Sequence, residues 1–253
     1  MNTSHSAQAI RLGLLVHGNK IWISEFLSIF FLSIILLTFF TLTLLIVLDE
    51  AVIRSNTQRI AALAARKQAM AKSLGELSSK VKITDAMRAV LGGRLSAQTY
   101  SQLADLVQGN SSTYGYDPLL LLAVIEVESK FSAQASGQYK SGSASGAFGL
   151  MQLKIETARE IAASLGMRVK NTADLFRPDV NVVLGVAYLT QLISQFRSFK
   201  LGLLAYNQGR GAVLSQLAAQ QPLSSVYYHR VLRSYYKFRA ITDSLGLIGE
   251  ANK

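Results

Sequence analysis

The 253-residue chain has no cysteine, three histidines, and far fewer acidic than basic side chains. The missing cysteines exclude disulfides, a thiolate metal site, a cysteine nucleophile and a lipid anchor on an N-terminal cysteine, and leave the redox compartment open. His5, His17 and His229 are scattered, so no metal site and no cofactor is expected. His229 is most simply a surface or packing residue. Only 15 Asp and Glu stand against 26 Lys and Arg, a net charge of +11 spread along the chain. A nucleic acid would suit that charge, but no binding motif accompanies it and no such partner is expected. A solvated basic surface near acidic lipids or an anionic wall polymer is the better reading.

Charge is missing altogether from residues 26–48, a run of 23 uncharged and mostly apolar positions. That length spans a bilayer as a helix. A secretory signal has a shorter apolar region followed by small residues, whereas Asp49 and Glu50 come next in this chain, so a retained anchor over 23–48 is expected. Trp22 sits where an interfacial aromatic belongs. Arg11 and Lys20 before the span and Arg54, Arg59 and Arg66 after it give a mixed answer on orientation.

The segment after the span is Ala-rich and helix-favouring. Ile53, Ile60, Leu63, Met70, Leu74, Leu77 and Val81 fall on a heptad a/d track, with Asn56 and Lys67 in the remaining slots. Two readings of this 49–83 stalk stay open: a dimeric coiled coil, giving self-association, or a single amphipathic helix. Gly92, Gly93 and Arg94 mark a break, and Ser96 reads as the N-cap of a helix to about Val107. The folded domain is expected over 84–253, with residues 1–22 as an N-terminal segment. Half of the chain is apolar, enough for one sizeable core.

Within that domain, Asp117 as N-cap, Pro118 at the first helical position and the apolar run Leu119 to Val127 predict a helix that carries Glu128 near its end. Helical spacing sets Glu128 on a face with Leu121, Val124, Ile125 and Phe131, an apolar wall that raises a carboxyl pKa. Such a carboxyl group suits general-acid work on a glycosidic bond. Glu126 lies about 200° around the same helix and cannot share one cleft with it. A Gly- and Ser-rich turn then leads to Gly146, Ala147, Phe148, Gly149, Leu150, Met151 and Gln152. Thereafter helices are expected at Glu156–Leu165, ended by Gly166, at Asn181–Phe196 and at Ser225–Arg239, with a loop from Asn171 to Asp179.

Glu128, Ser129, Phe131, Ala135, Ser143, Gly146, Ala147, Gly149, Leu150, Met151 and Gln152 meet the pattern of the soluble-transglycosylase (SLT) type of lytic transglycosylase, and the chain resembles that family, relatives of goose-type lysozyme. Ala205, Tyr206, Asn207 and Gly209 resemble its Ala-Tyr-Asn-x-Gly motif, and Tyr227 and Val231 its Tyr-Val-x-x-Val pattern. Thr157, Ala158, Gly185, Tyr188 and Leu189 also stand at family positions. The spacing departs: Glu128 and Gly146 lie 18 apart, with the surplus inside Gly137 to Gly142. Polar, Gly-containing loops tolerate such insertions. A Glu-Thr pair common before the family's last tyrosine is replaced by Leu223 and Ser224.

The resemblance, which covers roughly residues 112–235, implies an all-α, lysozyme-like catalytic domain with peptidoglycan glycan strands as substrate; that function orients the anchor read from composition, as a bacterial inner-membrane span with the domain in the periplasm and residues 1–22 in the cytoplasm. The resemblance also implies cleavage between N-acetylmuramic acid and N-acetylglucosamine with formation of a 1,6-anhydro product, and Glu128 acting as acid and then base. Ser129 and Gln152 would hold acetamido or hydroxyl groups, while Gly149, Met151, Tyr188, Tyr206 and Asn207 would shape the cleft, with Tyr206 orienting Glu128. Alternatives are a hydrolytic lysozyme using Asp174 or Asp179 as second carboxylate, or a non-catalytic wall-binding scaffold of a secretion apparatus.

Overall fold

The computed structural model describes residues 4–138 and 142–251, with side chains over 25–138 and 142–245. The side chains of Arg11, Lys20 and Trp22 and part of the Gly137 to Gly142 insertion lie outside the described residues. The chain divides into two compact units, Met1–Lys72 and Ser73–Lys253.

The first unit is helical throughout its described residues, as the first part of helix α1 (Ser4–Leu91). Its 26–48 stretch presents its large apolar side chains fully outward. An 18-residue window there reaches a mean hydropathy of 2.8, enough to cross a membrane by length and composition. Ile53, Ile60, Leu63 and Met70 are likewise exposed.

The second unit begins with the last part of α1, which buries Ile83, Ala86, Met87 and Leu91 and stops before Gly92 and Gly93, both at positive φ. Helix α2 (Ala97–Tyr114) starts on Ser96, whose hydroxyl accepts from the Thr99 N–H, and runs well past Val107, so Ser111 to Tyr114 are helix rather than turn. Gly115 closes it in the left-handed region. Helix α3 (Pro118–Ser129) is capped by Asp117, which accepts from the Leu119 N–H at 2.8 Å. Leu121 to Ile125 are wholly buried, so the middle of α3 is apolar on all sides and lies in the core.

Three short antiparallel strands come next, β1 (Ser136–Gln138), β2 (Ala144–Phe148) and β3 (Leu153–Lys154), in the order β1-β2-β3. Ser136 pairs with Phe148 and Gln138 with Ala144, with an irregularity between them. The expected Gly- and Ser-rich turn is thus a hairpin, invisible to periodicity because its small residues carry no apolar alternation. Helix α4 (Ile155–Ser164) precedes a 3-10 turn at Thr172–Phe176, inside the expected loop. Helix α5 (Pro178–Phe196) starts three residues earlier than expected, on a proline suited to a first helical position. Helices α6 (Phe199–Gln208), α7 (Arg210–Ala218) and α8 (Val226–Ala251) complete the unit, the last extending beyond Arg239. The fold class is all-α with a minor sheet, as expected.

Helix α3 packs against α8, where Phe131 and Phe238 meet edge to face at 6.2 Å, and the core continues to α5 and α6 through Val182, Val186, Leu189 and Leu203. The chain leaves α3 through Lys130 and Phe131, both at positive φ, which turns it sharply towards the hairpin. This corner sets Glu128 at the edge of the core rather than within it.

Candidate active site

Glu128 stands near the C-terminal end of α3 and opens into a cleft of about 860 Å³. Ser129, Gln152, Tyr188, Tyr206 and Asn207 line the same cleft, as do the cations Lys130, Lys154 and Arg230. Among the described residues, Glu128 is the only carboxylate in that lining. Burial among apolar neighbours raises its pKa to about 7, against the lowering pull of a hydrogen bond from Tyr227 and of the Arg230 charge. It is therefore protonated in a substantial fraction near neutral pH, the condition for a general acid.

The hydroxyl of Tyr227, in the first turn of α8, donates to Glu128 Oε1 at 2.5 Å. The same burial, reinforced by the neighbouring Glu128, pushes the Tyr227 phenol well above its ordinary pKa, so it remains a donor. Orientation of Glu128 thus comes from Tyr227, correcting the assignment of that role to Tyr206. The Tyr206 hydroxyl donates instead to the Met151 carbonyl at 2.7 Å, tying α6 to the Gly149–Gln152 turn. Both tyrosines belong to family-like motifs, but a contact across 99 residues leaves no local trace in sequence.

The turn itself is held from behind by Asn181, a fully buried residue that sequence reading took only as the start of a helix. Its Nδ2 donates to the carbonyls of Phe148 at 2.9 Å and Leu175 at 2.8 Å, and its Oδ1 accepts from the Met151 N–H at 2.7 Å. A Cβ on Gly149 would lie 2.1 Å from the Leu175 carbonyl oxygen, and the residue adopts φ +83°, so only glycine fits. Gly149 and Met151 therefore act behind the cleft wall. Met151 is fully buried against Gly185, where an added Cβ would come within 2.5 Å of its sulfur. Neither lines the cleft, which corrects their expected place at its surface.

Gln152 does face the cleft, with its Nε2 donating to the carbonyls of Ala135 at 3.1 Å and Gly149 at 2.8 Å. Its side-chain oxygen is the group left to meet a ligand. The Ser129 hydroxyl donates back to Ile125, leaving lone pairs as acceptors. Tyr188 and Tyr206 lie with ring centroids 5.4 Å apart and form an aromatic wall.

Glu126 turns away, as its position around α3 requires. Ser234 donates to its Oε2 and Lys237 Nζ lies 2.9 Å from its Oε1. Burial pushes its pKa up, but these hydrogen bonds and the Lys237 charge outweigh burial and hold it below the ordinary value. Asp174 accepts from the backbone N–H groups of Lys170 and Asn171 in a capping box, and Asp179 pairs with Arg177 at 2.7 Å. Neither lines the cleft, so neither is placed to serve as a second carboxylate. No group of three or more His, Asp or Glu able to hold a metal ion occurs among the described residues.

Residues 105–226 match the transglycosylase SLT domain family. The chain is similar to membrane-bound lytic murein transglycosylase C of Edwardsiella ictaluri, with 35% identity over 120 residues, 44% of this chain and 32% of that protein. It is 31% identical over 121 residues to the endo-type membrane-bound lytic murein transglycosylase A of Salmonella paratyphi B, covering 44% of this chain and 56% of that one. The chain thus spans between about a third and somewhat over half of the length of these relatives. Among solved structures, the 70-kDa soluble lytic transglycosylase of Escherichia coli aligns over 65% of this chain and 29% of its own, with 22% identity and a TM-score of 0.46.

Proposed function

We propose, from the match of residues 105–226 to the transglycosylase SLT domain family, that the protein is a membrane-anchored peptidoglycan lytic transglycosylase. The observation that carries this reading is a buried carboxyl group, Glu128, with a pKa of about 7, the only carboxylate among the described residues of a large cleft, and held by a tyrosine hydroxyl. An ordinary glycosidase needs a second carboxylate as base or nucleophile. One carboxyl group suffices when the substrate supplies its own nucleophile.

In that reaction Glu128 gives its proton to the glycosidic oxygen between N-acetylmuramic acid and N-acetylglucosamine, and the bond to the muramyl C1 breaks. The substrate's 2-acetamido group stabilises the developing positive charge. The Glu128 carboxylate then takes the proton of the muramyl C6 hydroxyl, whose oxygen closes onto C1 to leave the 1,6-anhydro product. The acid is thereby regenerated without water. Tyr227 stabilises the carboxylate stage by donating to it, and Arg230 adds a favourable charge. Ser129 and Gln152 are assigned to the acetamido or hydroxyl groups, and Tyr188, Tyr206 and Asn207 to the sugar faces and edges along the cleft.

The apolar span of residues 26–48 is assigned as a single-pass inner-membrane anchor with the domain in the periplasm, and the heptad-patterned segment after it as a stalk that can self-associate. Digestion of purified peptidoglycan by the full chain in detergent, with mass spectrometry of the fragments, tests the activity. Products lighter by one water than hydrated muropeptides, and absent with Glu128→Gln, are expected. Hydrated products would make the enzyme a lysozyme and overturn the reading.

A further inference from the structure

A second recess, of about 240 Å³, adjoins the cleft on the side where α3 meets α8. Val127, Lys130 and Arg230 line both, so the two are contiguous. Arg233 and Lys237 complete a set of four cations around one carboxylate, Glu126. That carboxylate is already engaged by Ser234 and Lys237. Among the described residues no carboxylate forms an ion pair with Lys130, Arg230 or Arg233. Arg230 reaches only the Val127 carbonyl, at a long 3.5 Å, which leaves most of its donors free.

Lys130 acts on Glu126 and Arg230 on Glu128 through space, without an ion-pair contact, so with Arg233 they remain able to receive an anion attached to a glycan in the neighbouring cleft. We propose that this recess is a subsite for a carboxylate of the short peptide stem borne by the muramyl residue at the cleavage point. The proposal rests on the assignment of peptidoglycan as substrate. A stem leaves the sugar from its lactyl group and carries free carboxylates within a few bonds of the chain being cut. The recess has room for one such side group, and a guanidinium group binds a carboxylate in a bidentate fashion that an ammonium group cannot match. Glu126 serves the subsite only indirectly, by holding Lys237 in an ion pair at 2.9 Å, so the cations left to meet the ligand are Lys130, Arg230 and Arg233.

The test uses the full chain in detergent carrying Glu128→Gln, so that ligand is bound without turnover. Its affinity is measured for fluorescent glycan oligomers with stems and for the same oligomers stripped of stems by an amidase, with the lactyl carboxylate so exposed capped as an amide. Stem-bearing ligand should bind roughly threefold to tenfold more tightly, the scale of a charge-assisted contact at a solvent-accessible site. Arg233→Gln should bring the two affinities together by weakening the stem-bearing ligand, and Arg233→Lys should restore part of the difference. Equal affinities in the parent protein, or an undiminished preference in Arg233→Gln, would overturn the subsite. So would polyphosphate competing as well as free stem peptide, which would mark a general anion surface. Turnover by the chain with Glu128 intact is recorded separately on both substrates. Stem preference without cleavage would defeat the proposed reaction alone, and cleavage without stem preference would defeat the subsite alone.

Discussion

Replacing Tyr227 with phenylalanine removes the one hydrogen bond that, among the described residues, reaches the side chain of the proposed catalytic Glu128. The bond stabilises the charged form, because the phenol donates and the carboxylate accepts. Its loss therefore raises the Glu128 pKa above its present value of about 7. A hydrogen bond to a charged group contributes about 1.5–3 kcal/mol, and one pKa unit corresponds to about 1.4 kcal/mol, so the rise should be about one to two units. A general acid works while protonated, so kcat/KM falls at alkaline pH as Glu128 ionises. In Tyr227→Phe that falling limb should move upward by the same one to two units, while the plateau drops on the order of tenfold because the carboxyl group is less firmly oriented. The assay is release of soluble fragments from purified peptidoglycan across a pH series. A limb that stays in place, or shifts to lower pH, would refute the assignment of Tyr227 as the donor that tunes Glu128.

The neighbouring contacts set four further outcomes. Tyr206→Phe removes a bond to a backbone carbonyl instead, so it should reduce stability by about 1 kcal/mol in denaturant titration and leave the alkaline limb unmoved. Glu128→Gln should stabilise the domain at about pH 8 by about 1–3 kcal/mol but hardly at all at about pH 4, read as a rise in Tm at the higher pH only. The sign comes from a folded pKa of about 7 against an ordinary value of 4.5: the carboxyl group's favourable contribution is complete below the lower value and is lost as pH climbs through the upper one. Asn181→Ala strips three backbone groups, two in buried and one in part-buried bonds, of their partner and should cost about 3–5 kcal/mol, with loss of activity through collapse of the Gly149–Gln152 turn. Because the chain has no cysteine, Leu63→Cys introduces a single thiol at an exposed d position; disulfide-linked dimers on mild oxidation support a self-paired stalk, and monomer throughout argues for a lone helix.

The sequence carried the parts of this site that are local. Asp117, Pro118 and an apolar run announce α3, and the spacing of Glu128 from Leu121, Val124 and Ile125 correctly implies a carboxyl group pushed towards neutrality. Glu126, two residues earlier, could be turned away from the cleft by helical geometry alone. Contacts between distant segments could not be read. Tyr227 meets Glu128 across 99 residues, and Asn181 meets Met151 across 30; neither has a period or spacing that marks it beforehand. Side-chain direction was the other gap. Gly149 and Met151 sit in the same short motif as Gln152, yet the positive φ values at Gly149 and Gln152 turn the motif so that Met151 enters the core and Gln152 the cleft. The hairpin of β1 and β2 escaped notice because residues as small as Ser136, Gly137, Ala144 and Ser145 give no alternation to read.

Isotopically labelled water tests the central claim most directly. If Glu128 alone performs both proton transfers and the muramyl C6 hydroxyl is the nucleophile, fragments released from peptidoglycan in labelled water should carry no label at the newly formed muramyl end. Label at that position in every product would show that water attacks C1, and would contradict a mechanism built on one carboxyl group.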